Sequence, residues 1–191
     1  MSGAHRAERT GSGELPAATS QLAVPTAEAM RDLGRSLASL LRAGDLLVLS
    51  GDLGAGKTTL TQGIGAGMQV RGEITSPTFV IARVHPALAG GPALVHVDAY
   101  RLASMAEVDD LDLDATLGES VTVVEWGEGM VEELAQDRME IRLTRPHGSL
   151  SGPDAAPVEG DEPRNVELVG FGTRWAGVRL PAGQGAALPP G

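Results

Sequence analysis

Leu46-Leu47-Val48-Leu49-Ser50-Gly51-Asp52-Leu53-Gly54-Ala55-Gly56-Lys57-Thr58 is the stretch from which the rest of the chain can be read. Its first four residues are a short continuous apolar run, the kind found in strands buried on both faces. Gly51 to Thr58 then fits the spacing G-x-x-x-x-G-K-[ST] without a gap. Glycines let the backbone curl so that successive N–H groups point inward at an anion. A helix starting at Lys57 would add the positive end of its dipole to the same spot. Lys57 can reach β and γ phosphates as a compact charge on a flexible stem, and Thr58 can offer its hydroxyl to magnesium. Average composition puts a chance match on the order of one percent for a chain of this length.

The composition singles out the same position. The chain has 191 residues, and of its fifteen basic residues fourteen are Arg; the single Lys is Lys57. A planar guanidinium is a poor substitute for an ammonium at that place. A dinucleotide-type G-x-G-x-x-G pattern fails, because the third glycine would fall on Thr59. Gly63, Gly65 and Gly67 lie on the flank of the predicted helix, where they permit close packing or weaken the helix end rather than bind a ligand.

Outward from this stretch the chain reads as an α/β domain. Thr26 can cap a helix whose apolar face carries Met30, Leu33, Leu37, Leu40 and Leu41, with Gly44 as its stop. Ala93–Asp98 and Val121–Glu125 are further buried-strand candidates, each ending in a carboxylate. Strand, glycine-rich turn, helix and further apolar strands predict a parallel sheet. Met139–Leu143 alternates and Asn165–Val169 alternates less cleanly, which predicts half-exposed strands at an antiparallel edge. Residues 1–20 read as a disordered tail, 21–180 as one domain with a mobile loop over 146–163, and 181–191 as a second disordered tail.

Composition excludes several classes. With fifteen basic against twenty-five acidic residues, the formal net charge is −10. Unaided nucleic-acid binding needs clustered Lys and Arg, so it is a poor reading. The absence of cysteine excludes a disulfide scaffold, thiolate metal sites and a cysteine nucleophile. No apolar run approaches the roughly 20 residues that span a bilayer, and the N-terminus lacks the apolar stretch of a signal peptide. The expectation is a cytoplasmic protein without a membrane partner.

A magnesium–nucleotide site wants a carboxylate at the C-terminal end of a neighbouring strand, so Asp98 and Glu125 are both candidates. His96 shares a strand face with Asp98. With four His in the chain and no third ligand nearby, it reads better as packed or hydrogen-bonded than as a metal ligand. Ser76-Pro77-Thr78-Phe79 follows the loop helix, where nucleotide switches place a hydroxyl near the γ-phosphate; an ordinary Ser-Pro turn fits the same residues.

With these motifs together the chain resembles the bacterial TsaE family of tRNA-modification ATPases. The matching pieces are GDLGAGKTTLTQG (51–63), SPTF (76–79), HVDAYRL (96–102) and VEWGE (124–128), in the family's order and at similar spacing. The resemblance implies a P-loop NTPase-like fold, a mainly parallel sheet flanked by helices with antiparallel edge strands. It implies ATP and Mg2+ as cofactors and TsaB and TsaD subunits as partners in attaching threonylcarbamoyl to adenosine 37 of tRNAs reading ANN codons, with tRNA held only indirectly.

Carried over by position, the resemblance makes Leu53, Gly54, Ala55, Gly56, Lys57, Thr58, Thr78 and Arg164 the nucleotide-binding residues. It makes Thr58 and Glu125 the magnesium ligands, and Lys57 and Asp98 the catalytic pair, Asp98 orienting or activating water. Arg164 comes from a late Gly160-Asp-Glu162-Pro-Arg164 stretch beyond a Pro-rich insertion, and Trp126 is implicated near the nucleotide or a partner. The acid-rich run from Glu107 to Asp114 reads as a solvated face before it reads as a docking site for a basic partner.

Two alternatives stand beside the ATPase. A small-molecule P-loop kinase usually closes an Arg-bearing lid, and 146–163 contains no Arg. A non-hydrolysing nucleotide-gated module would have little need of both Asp98 and Glu125. GTP is an open alternative to ATP.

Overall fold

A computed structural model of the chain describes residues 15–76, 82–100, 113–145 and 162–183. Thr78, most of the 146–163 segment and residues 101–112 lie outside the described residues. The strands are β1 (Ala18–Val24), β2 (Leu46–Ser50), β3 (Ala82–His85), β4 (Ala93–Asp98), β5 (Ser120–Glu125), β6 (Arg138–Thr144) and β7 (Arg164–Phe171). The helices are α1 (Ala27–Ala38), α2 (Lys57–Gly67) and the short α3 (Leu113–Leu117), with single 3-10 turns at Glu132–Leu134 and Thr173–Trp175.

The strands form one sheet in the order β1-β7-β6-β2-β5-β4-β3. The middle four, β6-β2-β5-β4, run parallel. The pairs β1–β7, β6–β7 and β3–β4 are antiparallel. Among the described residues half of the six pairings are therefore antiparallel, and the expectation of a mainly parallel sheet gives way to a mixed one. β6 and β7 do alternate as expected, with Met139, Ile141 and Leu143 fully buried and Arg142 exposed. Neither is an edge. β7 is covered on its outer side by β1, whose first three residues fall in the stretch read as a tail.

α1 and α2 pack together on one face of the sheet. Thr26 caps α1, its Oγ1 accepting from the Ala29 N–H at 3.0 Å. The helix stops at Ala38, short of Gly44; Leu40 and Leu41 follow it in turns and still pack against the core. The two helices cross at backbone distance. A Cβ on Gly34 would lie 2.7 Å from the Gly63 Cα, and one on Gly63 would strike the Arg31 carbonyl. This is the close packing predicted for Gly63, and it presses the first turns of α2 against the sheet. Leu37, Leu47, Leu49, Leu60, Ile64, Val123 and Ile141 form the core below. On the opposite face α3 and the Glu132–Leu134 turn cover a smaller cluster over β2, β4 and β5.

Candidate functional site

The three parallel strands β2, β5 and β4 end side by side, and every expected site residue among those described collects at that end. Between β2 and α2 the loop turns at Asp52, whose carbonyl accepts from the Ala55 N–H at 3.0 Å. Gly51 has φ +140°, and a Cβ there would collide with the Leu143 carbonyl of β6, so the loop lies directly on the sheet. Gly56 has φ +105° at the N-cap of α2, a conformation that releases the helix's first N–H groups toward the inside of the turn. Ala55 is buried, while the Leu53 side chain is 83% exposed at the tip. Leu53 thus has only its backbone to offer an anion held within the loop.

Lys57 is almost wholly buried. Its Nζ donates to the carbonyls of Gly51 at 2.6 Å and Asp52 at 3.0 Å, and lies 3.7 Å from the centre of the Trp126 ring. Burial pushes its pKa below the ordinary lysine value; the charges of Glu125, Asp98 and Asp52 act in the opposite direction. Trp126 follows Glu125 directly and adopts φ +62°, a region that bulky residues rarely enter. That turn lays the indole over Lys57, while its backbone N–H continues the ladder to the Leu49 carbonyl at 2.9 Å. Tyr100, 67% exposed, sits against the same indole with ring centres 5.1 Å apart.

Asp98 and Glu125 are direct cross-strand neighbours at the ends of β4 and β5. Their surroundings differ. Glu125 is buried, and the Thr58 Oγ1 donates to its Oε1 and Oε2 at 3.1 and 3.2 Å. His96 is also buried and places its Nε2 2.8 Å from Oε1. Asp98 is half-buried; its Oδ2 accepts from Ser76 Oγ at 3.2 Å and its Oδ1 from the Tyr100 N–H at 3.0 Å. Of the serine–threonine pair in the switch-like stretch, Ser76 is therefore the hydroxyl that the described residues bring to a carboxylate.

The donor set suits a hard cation. A hydroxyl and a carboxylate lie within hydrogen-bond distance of each other, and both are oxygen ligands. Among the described residues no group of three or more His, Asp and Glu could hold a metal alone. A magnesium ion would take two ligands here, Thr58 and Glu125, and the rest from phosphate and water.

Arg164, which sequence reading reached only through the insertion, comes to the loop. Its Nη2 lies 3.5 Å from the Gly54 carbonyl, and its Nη1 donates to the Glu162 carbonyl at 2.7 Å. The sheet explains why the insertion does not matter. Thr144 and Asn165 are paired across β6 and β7, so the chain leaves and returns at one point whatever the length between. Arg145 stands beside the same turn: a Cβ on Gly54 would lie 3.2 Å from its guanidinium. The lack of Arg within 146–163 thus leaves two guanidiniums at its roots. Thr26, Met30, Gly54, Gly56, Thr59 and Arg164 line a cavity of about 150 Å³ next to the loop.

His96 and Arg145 are the residues whose place at the site the sequence did not reveal. His96 was legible as hydrogen-bonded, and its strand alternation with Asp98 put it on the right face. Its partner could not be read, because Glu125 is 29 residues away.

The family described as "Threonylcarbamoyl adenosine biosynthesis protein TsaE" matches residues 24–150. The "tRNA threonylcarbamoyladenosine biosynthesis protein TsaE" of Streptomyces coelicolor is 61% identical over 148 residues, covering 77% of this chain and 94% of that protein. The protein of the same name from Bacillus subtilis is 34% identical over 149 residues, 78% of this chain and 84% of that one. The crystal structure of Bacillus subtilis YdiB is similar, with a TM-score of 0.61 and 27% identity, covering 83% of this chain and 89% of that chain.

Proposed function

The chain belongs to the TsaE family of threonylcarbamoyl adenosine biosynthesis proteins, and from that membership we propose that it is the ATP-binding and ATP-hydrolysing component required for threonylcarbamoyl modification of adenosine 37 in tRNAs reading ANN codons. It works with TsaB- and TsaD-like subunits and touches tRNA only through them, in keeping with its net charge of −10. The observation that carries the reading is the convergence of Lys57, Thr58, Asp98 and Glu125 at the ends of three adjacent strands.

The residues divide the work by their chemistry. The loop N–H groups and the start of α2 grip the β and γ phosphates. Lys57 exchanges the carbonyls of Gly51 and Asp52 for phosphate oxygens, which are stronger, charged acceptors. Thr58 and Glu125 would hold magnesium, which when bound would neutralise charge on the phosphates. Asp98, steadied by Ser76 and the Tyr100 N–H, orients the attacking water. The cavity lined by Thr26, Met30 and Arg164 takes the nucleoside end.

The test is phosphate release from ATP with magnesium, for the wild type and Lys57→Ala, each with and without the TsaB- and TsaD-like subunits. Lys57-dependent release that changes when the subunits are added is the expected result. Fast release that ignores them would overturn the partner-coupled reading. ATP binding without phosphate release under any condition would make the protein a nucleotide-gated module.

A further inference from the structure

Glu125 accepts two kinds of hydrogen bond, and they differ in symmetry. The Thr58 hydroxyl is shared almost equally between Oε1 and Oε2, at 3.1 and 3.2 Å. It cannot tell the two oxygens apart. His96 lies 2.8 Å from Oε1 alone. The terminal torsion of a glutamate is broad and roughly two-fold, so without a one-sided contact the carboxylate plane is poorly defined.

A carboxylate accepts only, so the His96 Nε2 carries the proton of this bond. Its other nitrogen, Nδ1, is buried and has no hydrogen-bond partner among the described residues. A polar atom left in this way is costly, and a leucine in the same strand position would carry no such atom. Among the described residues the one polar contact that the imidazole makes is to Glu125. Packing alone does not account for a histidine here.

We propose that His96 is a positioning residue for cation binding: its Nε2–H occupies Oε1 of Glu125, fixes the carboxylate plane, and leaves Oε2 as the oxygen presented to the metal beside Thr58. This rests on the reading of Thr58 and Glu125 as the magnesium ligands. His96 does not touch the cation or the nucleotide; it acts through the carboxylate, as outer-shell partners of metal ligands do.

The test uses the full chain with a non-hydrolysable ATP analogue and Mn2+ in place of magnesium, with free Mn2+ followed by electron paramagnetic resonance. His96→Leu is expected to weaken Mn2+ binding about tenfold, the lower end of what outer-shell changes cost. Nucleotide affinity in excess chelator should stay at the wild-type value, a split that a general loss of structure would not produce. His96→Gln, whose amide reaches about as far as Nε2, should recover most of the affinity, and the shorter His96→Asn should not.

Wild-type Mn2+ affinity in a His96→Leu protein with a normal melting curve overturns the proposal. If that variant does not fold, equal Mn2+ affinities of the Gln and Asn variants overturn it instead. A wild-type protein that binds the analogue but shows no Mn2+ binding removes the metal reading of Thr58 and Glu125, and His96's role with it. That outcome is distinct from a wild type that binds Mn2+ and a leucine variant that binds it equally well.

Discussion

The two ends of the β2 region handle buried charge in opposite ways. At the N-terminal end Asp45 and Arg174 meet fork to fork: Nε donates to Oδ1 and Nη2 to Oδ2, both at 2.9 Å. The Arg42 N–H adds a further bond to Asp45 Oδ2 at 2.9 Å, and the Trp175 ring lies 4.3 Å from the guanidinium carbon. Every charge there has its partner inside the chain, and the pair ties the C-terminal segment to the start of the strand. At the C-terminal end Lys57 is hydrogen-bonded to carbonyls, while Glu125 and Asp98 accept from hydroxyl, imidazole and amide groups. Opposite charges are gathered at that end without being tied to each other. The first arrangement stabilises the fold; the second keeps an ammonium and two carboxylates free to exchange weak acceptors and donors for phosphate, cation and water.

Substitutions at the two ends should therefore fail in different assays. The largest effect is expected from Arg174→Ala, which leaves Asp45 buried without its partner and should cost about 3–5 kcal/mol in urea unfolding. Nucleotide affinity of the folded fraction should not change. Lys57→Ala should show the reverse, reducing phosphate release by about 10²-fold or more with little change in the unfolding midpoint. A Lys57→Ala protein that lost as much stability as Arg174→Ala would break the comparison.

A smaller, alkaline effect sharpens it. Burial lowers the Lys57 pKa, so the folded chain sheds that proton more readily than the unfolded one. The contribution of Lys57 to stability should therefore rise with pH between its lowered value and the ordinary 10.5. Unfolding curves of the wild type and Lys57→Ala, compared across that window, would show the difference narrowing or reversing in favour of the wild type. Phosphate binding should fall across the same window as the ammonium is lost. The smallest change is expected from Thr26→Ala. It removes the α1 cap for about 1 kcal/mol, and because Thr26 also lines the cavity beside the loop, it should weaken ATP binding slightly as well. Equal effects on ATP and GTP would remove Thr26 from any role in base selection.

The local parts of the molecule were legible. The β2–loop–α2 unit is specified by neighbours in the chain, and α2 begins at Lys57 as the spacing predicts. The apolar runs of β4 and β5 were readable because strands buried on both faces are near-continuously apolar, with His96 and Thr122 as the only interior interruptions before the closing acids. The Thr26 cap was readable from its hydroxyl, but the end of α1 was not. Leu40 and Leu41 continue the apolar spacing after the helix has stopped, because a turn can bury leucine as well as a helix can. β1 was the main omission. Ala-Thr-Ser-Gln-Leu-Ala-Val is too polar to announce a strand, and it is one because β7 offers it a ladder from Ala18–Gly170 to Val24–Arg164. Without β1, β7 looked like an edge and the sheet looked more parallel than it is.

The amino-acid sequence alone determined the identity and order of the chemical groups: a loop of backbone N–H donors, a lone lysine, a threonine, and acids ending two apolar strands. These are set by local geometry and by which residues can carry which charge. Tertiary structure alone decided which groups meet. It brought β6 and β7 back together across the insertion so that Arg164 reaches the loop, laid Trp126 over Lys57, and put His96 on one oxygen of Glu125. Those contacts join residues 29 to 110 positions apart. Strand register and helix packing create them, and neither is encoded in any single stretch of the chain.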